Sequence, residues 1–426
     1  MIRILNYGEI PDEEIFAREI PQDSVSEAVA EIIAAVRRDG DRALLEFERR
    51  FDGAALECLE ASPGELDTAL TELSPEFLRV LNRAAENIRA FHEKQRRSSY
   101  IVSEREGVAL GQRVIPIEKA GLYVPGGTAP LSSTVLMDAI PAKIAGVGEL
   151  IMATPPGPDG RIHPAILAAA KVAGVDRVFK LGGAQAIAAL AYGTESVPKV
   201  DKIVGPGSAW VAEAKKQVFG MVSIDMIAGP SEILIVADGK SEPRYLAADL
   251  LSQAEHDRAA SAVLVTDSAL LAERVQTELE TQLARLPREE IARASVERNG
   301  KIIVTPDIDA AIAVANALAP EHLELCLDAP FDYLGRVRNA GSVFLGRHCP
   351  EALGDYLAGA NHTLPTSGTA RFSSPLGVDD FVKKSQFIYY SPEALAQVAG
   401  DVALFAREER LEGHARSALI RTEEKP

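Results

Sequence analysis

Apolar positions fall at helical spacing in two early segments. Val25, Val29, Ile32, Ile33 and Val36 share one face, with Ser24 and Glu27 spaced as a capping box and Gly40 as a stop, which predicts an amphipathic helix. Ser74-Pro75 opens a second helix, whose Phe77, Leu81, Ala84, Ile88 and Phe91 form a single stripe ahead of the polar run EKQRRSS. Both read as outer-layer helices. From about Gly121 the texture changes to short apolar strands (ELIMATPP, SEILIVAD) alternating with Ala-rich helical runs such as GGAQAIAALAYG. A second series follows in AVLVTDS, GKIIVTPDIDAAIAVANALAP and AGSVFLG. Strands separated by helices of about 10 to 15 residues are the pattern of parallel βαβ units. The expected fold is therefore α/β, with two Rossmann-like doubly wound domains. Ser391-Pro392 then begins an amphipathic helix carrying Leu395, Val398, Val402 and Phe405, and a short helix closes the chain. That apolar stripe needs cover, from its own domain or from a partner subunit.

Charge narrows the partners. The 45 Lys and Arg against 62 Asp and Glu leave a formal charge of −17, which argues against binding nucleic acid or an anionic membrane face. Small molecules or protein are the expected partners. Three cysteines, Cys58, Cys326 and Cys349, show no CxxC spacing, which argues against a disulfide framework or a thiolate zinc site and fits a reducing cytoplasm. No stretch reaches the ~18 uninterrupted apolar residues of a membrane span, and the acidic start lacks a secretory core. A soluble, cytoplasmic protein is expected.

Several polar groups carry candidate chemistry. Gln253 and His256 lie at i and i+3 on one helical face, with Asp249 a turn earlier. The pair offers an amide oxygen and an imidazole nitrogen to a divalent cation; a helix end with a solvent-facing His reads the same way. Glu321-His322 sets a carboxylate beside the side chain that titrates nearest neutral pH. Neighbouring side chains point apart, so both serve one substrate only where the backbone is irregular. Asp355 and the polar segment Asn361–Arg371 read as a functional loop. His92 and His163 read as structural. Glycine-rich strand ends occur at GLYVPGG, LGGAQ and VGPGSAW, but Trp210 occupies the third position of the only GxGxxG-like run. A nucleotide here is not held in the standard Rossmann manner.

Taken together, GLYVPGG, GGAQAIAALAYGT, VDKIVGPGSAWVAEAK, IAGPSEILIVAD, LLSQAEHD, APEHLEL, NAGSVFLG and ANHTLPTSGTARFSSPLGVDDF resemble the L-histidinol dehydrogenases, from about residue 20 to the tail. The resemblance implies a zinc-dependent, NAD-linked oxidation of L-histidinol through L-histidinal to L-histidine, the last step of histidine biosynthesis. It implies one Zn²⁺ per subunit on Gln253, His256, Asp355 and His414, with two NAD⁺ consumed per turnover. Ser231, Glu409 and His414 join the metal ligands and His322 in holding substrate; His322 is the base and Glu321 the activator of water. Tyr123, Gln185 and Ser208 are the implied NAD contacts, with Ser208 standing where the family's GPGNA carries Asn. Asp225 is given no role. The implied layout is an arm at 1–20, a larger domain from 21–122 and 231–376 carrying most of the zinc and catalytic site, a second domain at 123–230, and a helical tail at 377–426 that completes the site of the other subunit in a homodimer. Other readings stand beside it, the most distant a non-catalytic protein that binds histidinol but forms no NADH. One is a dehydrogenase of the same fold acting on another polar alcohol; a second is a zinc hydrolase, which leaves the glycine-rich strand ends unexplained.

Overall fold

The computed structural model describes residues 1–17, 25–126 and 130–423. The chain divides into two compact units, residues 1–95 with 118–381, and residues 96–117 with 382–426. Among the described residues, no helix is long and apolar enough to cross a membrane.

The larger unit contains two parallel sheets. In the first, Lys119–Tyr123 lies centrally, with Glu149–Thr154 and then Arg177–Lys180 on one side and Lys202–Val204 and then Ser223–Ile224 on the other. In the second, Glu232–Ala237 is followed outward by Ser261–Thr266, Lys301–Val304 and Arg3–Asn6, while His322–Cys326 and Ser342–Leu345 lie on its other side. Each sheet thus reverses its direction of growth once, at Lys119–Tyr123/Lys202–Val204 and at Glu232–Ala237/His322–Cys326. Such switch points open crevices at strand ends.

The strands are covered on both faces, which is why they read as nearly continuous apolar runs. In the five-stranded sheet Tyr123, Ile151, Phe179 and Ile203 face the helices Ser26–Asp39, Gly183–Tyr192 and Ala209–Val218. The alternate set Leu122, Leu150, Met152, Val178 and Val204 is equally buried. In the six-stranded sheet Ile233, Ile235, Leu264 and Ile302 face Pro243–Ala254, Ala269–Leu283 and Glu289–Arg298. Leu234, Val236, Val265 and Ile303 share a core with Ile308–Leu318.

Both early helices form. The first spans Ser26–Asp39 and closes at Gly40, whose φ is 54°; the expected capping residue Ser24 lies outside the described residues. The second spans Pro75–His92, where the Phe77 N–H donates to Ser74 Oγ at 3.1 Å; Leu81, Ala84 and Ile88 are buried but Phe91 is exposed. The partition of the chain differs from the expected one. Helix Ser26–Asp39 shares the core of the five-stranded sheet rather than packing with residues 231–376, because its Val29, Ile32, Ile33 and Val36 face fits the Ala-rich Gly183–Tyr192. Within the expected N-terminal arm, Arg3–Asn6 forms a parallel edge strand beside Lys301–Val304, anchored by buried Ile2 and Leu5.

The smaller unit is not purely helical. Val108–Pro116 pairs antiparallel with Tyr100–Val102 and with Val382–Tyr390, and the helices Pro392–Glu408 and Glu412–Leu419 follow. The last strand reads VKKSQFIYY and buries none of its residues fully, so it carries no apolar alternation to reveal it. Ser391 Oγ accepts from the Ala394 N–H at 3.2 Å and caps the first helix as expected. Its buried face, however, consists of Ala394, Ala399, Ala403 and Ala406, the last two meeting Ala415 and Leu419 of the next helix. Small side chains allow this close approach, and Val402 and Phe405 of the expected stripe are left exposed.

Candidate active site

A cavity of about 960 Å³ opens in the larger unit. Pro125 and Gly205-Pro206-Gly207-Ser208, at the carboxyl ends of the central strands of the five-stranded sheet, line one side. Ser231, Glu232, Ser261, Glu321 and His322, at the amino ends of strands in the six-stranded sheet, line the other.

The Gly205 turn is held from within. Gly205 has φ of 113°, and a Cβ there would collide with the Tyr123 carbonyl oxygen. Lys215 Nζ donates to the Gly205 carbonyl at 2.9 Å and pairs with Asp225, while Asp225 Oδ2 accepts the Gly205 N–H at 2.7 Å. Asp225, for which the sequence suggested no role, therefore fixes this turn.

Glu321 and His322 are brought together by an irregular helix end. Helix Ile308–Leu318 stops at Ala319, which takes the left-handed conformation with φ of 48° and ψ of 63°. Pro320 follows, and His322 begins a strand, so Glu321 and His322 both reach one residue of the neighbouring strand. Glu321 Oε2 accepts the Glu232 N–H at 2.8 Å, and His322 Nδ1 lies 3.0 Å from the Glu232 carbonyl oxygen. A carbonyl only accepts, so Nδ1 carries the hydrogen and Nε2 keeps its lone pair. Burial pushes the His322 ring down to about 4 and raises the Glu321 carboxyl well above its ordinary value.

Beside this pair is a cluster of metal-competent atoms. One atom each from His322, Glu351 and Asp355 lie within 4.8 Å of one another. The helix Glu351–Tyr356 carries both carboxylates one turn apart. Glu351 Oε2 accepts from Ser252 Oγ at 3.2 Å, but Glu351 Oε1, 3.6 Å from His322 Nε2, and Gln253 Oε1 are buried without a hydrogen-bond partner. Two orphaned oxygens are costly unless a ligand completes them. Burial raises Glu351 to about 8. Burial also works against ionisation of Asp355, but His362, with Nδ1 at 3.4 Å, and His322 hold it down to about 2. Gln253 lies in the last turn of Pro243–Ala254 and His256 just beyond, its N–H donating to the Gln253 carbonyl at 3.1 Å; both line the cavity. Asp249 turns away and shares a buried site with Glu324, where desolvation raises both.

Ser208, Ser231, Gln253, His256, Glu321, His322 and Asp355 thus meet around one cavity. Tyr123 and Gln185 do not line it. The Tyr123 hydroxyl accepts the Gly183 N–H at 3.0 Å, and the Gln185 amide donates to Glu48 Oε1 at 3.0 Å, both in buried surroundings. Glu409, at the end of Pro392–Glu408, and His414, in Glu412–Leu419, belong to the smaller unit. Sequence reasoning missed Glu351 and did not single out His362 within its polar loop. The i, i+4 spacing of Glu351 and Asp355 was the available signal for the first.

The histidinol dehydrogenase family model matches residues 17–422. The chain belongs to the histidinol dehydrogenase family. It is 56% identical over 405 residues to the histidinol dehydrogenase of Syntrophotalea carbinolica, covering 95% of this chain and 94% of that protein. It is also 56% identical over 393 residues to that of Lactiplantibacillus plantarum, covering 92% of each. The crystal structure of histidinol dehydrogenase from Elizabethkingia anophelis superposes with a TM-score of 0.94 at 37% identity, over 99% of this chain and 98% of that one. A histidinol dehydrogenase fold of two parallel sheets, with Glu321 and His322 at their junction, is therefore the frame for the chemistry, and family membership supports an oxidoreductase of histidine biosynthesis.

Proposed function

We propose that this protein oxidises L-histidinol through L-histidinal to L-histidine, with NAD⁺ as hydride acceptor and one Zn²⁺ per subunit. The observation that carries the reading is the joint hold of Glu232 on Glu321 and His322, which aims a base and a carboxylate at one cavity next to buried, unpartnered oxygens of Gln253 and Glu351. The donor set suits a divalent cation: an amide oxygen from Gln253, an imidazole from His256 and the ionised carboxylate of Asp355, with His414 as fourth ligand. Zinc, when bound, supplies a Lewis acid that anchors the polar end of the substrate.

In the first oxidation His322 Nε2 takes the hydroxyl proton while the alcohol carbon gives up hydride to the nicotinamide. Glu321 then accepts a proton from the water that adds to the aldehyde, and His322 takes a proton from the resulting hydrate as the second hydride leaves. General acid–base help of this kind contributes about 10²- to 10⁴-fold in rate per group. Carrying out both oxidations in one cavity limits escape of the reactive aldehyde. Ser231 orients the substrate from the lip of the Glu232–Ala237 strand. Pro125 and the turn Gly205–Ser208 form the nucleotide side, with Ser208 on the cavity wall and Tyr123 and Gln185 in the layer beneath it; the switch point between strands supports this assignment.

Glu409 and His414 reach the site from the second subunit of a homodimer. Exposed Val402, Leu404 and Phe405 on the tail helix support a subunit interface there. The three free cysteines are consistent with work in the cytoplasm. Adding L-histidinol and NAD⁺ to the metal-loaded enzyme is expected to yield NADH and L-histidine. Hydrolysis without NADH would favour a zinc hydrolase, and faster turnover of an alcohol lacking imidazole would reassign the substrate.

A further inference from the structure

Helix Ser132–Ala145 contains a proline in its interior, Pro141. Proline has no N–H, so the Met137 carbonyl one turn earlier lacks its helical donor. In this buried setting an unpaired carbonyl needs another partner. Asn361 supplies it: its Nδ2 lies 2.7 Å from the Met137 carbonyl oxygen. The same side chain accepts the Thr363 N–H on Oδ1 at 2.8 Å, and Thr363 Oγ1 donates to Asp138 at 3.1 Å. Between these two anchors stands His362, whose Nε2 is 3.3 Å from Thr134 Oγ1 and whose Nδ1 faces Asp355. Thr134, Met137 and Asp138 lie on one face of the helix, at i, i+3 and i+4.

We infer that Pro141 is a positioning residue for the active site: by freeing the Met137 carbonyl for Asn361, it locks the Asn361–Thr363 segment onto the helix and so fixes His362 against Asp355. An ordinary residue at 141 returns an N–H to the Met137 carbonyl, which then competes with Asn361 for that oxygen and weakens the anchor. A helix-interior proline is unfavourable for the helix itself, so the arrangement sacrifices local stability for placement of the loop. The importance of that placement for turnover rests on the function proposed above, whereas the anchoring does not.

The test is Pro141→Ala, Asn361→Ala and the double variant, each as full-length metal-loaded enzyme. Hydrogen exchange of peptides covering residues 361–366 is expected to be faster in both single variants, and no faster again in the double. The unfolding midpoint of Pro141→Ala is expected to stay at or above wild type, which separates loosening of the loop from general damage. With L-histidinol, kcat is expected to fall by up to about 100-fold in either single variant, as for a misplaced catalytic constellation. The double variant should be no worse, and KM for NAD⁺ unchanged. Unaltered exchange in Pro141→Ala, or additive losses of kcat, would overturn the inference. If the wild type does not oxidise L-histidinol, the proposed function fails, and the exchange and stability measurements still decide the anchoring.

Discussion

Glu232 holds both Glu321 and His322 through its own peptide groups, with its carbonyl oxygen 3.0 Å from His322 Nδ1 and its N–H donating to Glu321 Oε2 at 2.8 Å. One residue at the amino end of a central strand therefore sets the tautomer of the His322 ring and the orientation of the Glu321 carboxylate. Two side chains adjacent in sequence serve one cavity because the left-handed Ala319 and Pro320 turn the chain between helix and strand.

The division of labour between the two gives a kinetic prediction. Glu321→Gln keeps an oxygen able to accept the Glu232 N–H but has no carboxylate to take a proton from water. The first hydride transfer is expected to proceed near the wild-type rate, and the second to slow by about 10²- to 10⁴-fold. Single-turnover NADH traces check this, and equal slowing of both phases would contradict the role given to Glu321.

Lys215 and Asp225 form a buried ion pair under the Gly205 turn. Lys215→Met removes one partner and leaves Asp225 buried without its counter-charge, an expected loss of about 3–5 kcal/mol. Because both groups hold the Gly205 peptide, KM for NAD⁺ is expected to rise more than KM for L-histidinol. Denaturant unfolding and steady-state kinetics read the two effects separately.

Glu48 gives a pH-dependent prediction away from the metal-competent cluster. Its carboxyl accepts from the Gly182 N–H and the Gln185 amide, yet burial raises it to about 8. The folded state therefore keeps this proton over a range where the unfolded chain has lost it, and stability falls as pH rises from the ordinary carboxylate range to about 8. The slope from this one group is at most about 1.4 kcal/mol per pH unit. Glu48→Gln should remove the effect, so its unfolding midpoint is expected to gain on wild type between pH 5 and pH 8. A constant difference across that range would refute it.

A site completed by the other subunit predicts complementation. A variant ending at Ala406 and a His322→Ala variant should each be inactive alone. Mixed and allowed to exchange, half the dimers pair an intact cavity with an intact tail at one of two sites, so recovery of about a quarter of wild-type activity is expected. Absence of recovery, with exchange demonstrated by mass, would argue for sites built within one chain.

Much of the fold was legible because it rests on local patterns. Ser74-Pro75 and Ser391-Pro392 announced helices with caps the structure contains, and EILIVA is buried at every position as a central parallel strand should be. The packing partner of Ser26–Asp39 was not legible, since an apolar stripe states that it needs cover but not which sheet provides it. The strand Val382–Tyr390 was hidden because its residues are exposed or half-buried. At the site, types and spacings marked Gln253, His256, Glu321 and His322 as candidates that read equally as helix ends in solvent, and the family resemblance singled them out. Types and spacings could not reveal Glu232, which acts through its backbone, or the link from Pro141 to Asn361, which joins segments 220 positions apart in sequence only after folding.

The most direct measurement of the central claim is NADH formed per L-histidinol consumed at saturating NAD⁺, before and after chelation and again after return of zinc. Each NAD⁺ carries one hydride, so a four-electron oxidation predicts a ratio of about two, lost with the metal and restored with it. A ratio of about one, or full activity after chelation, would contradict the account.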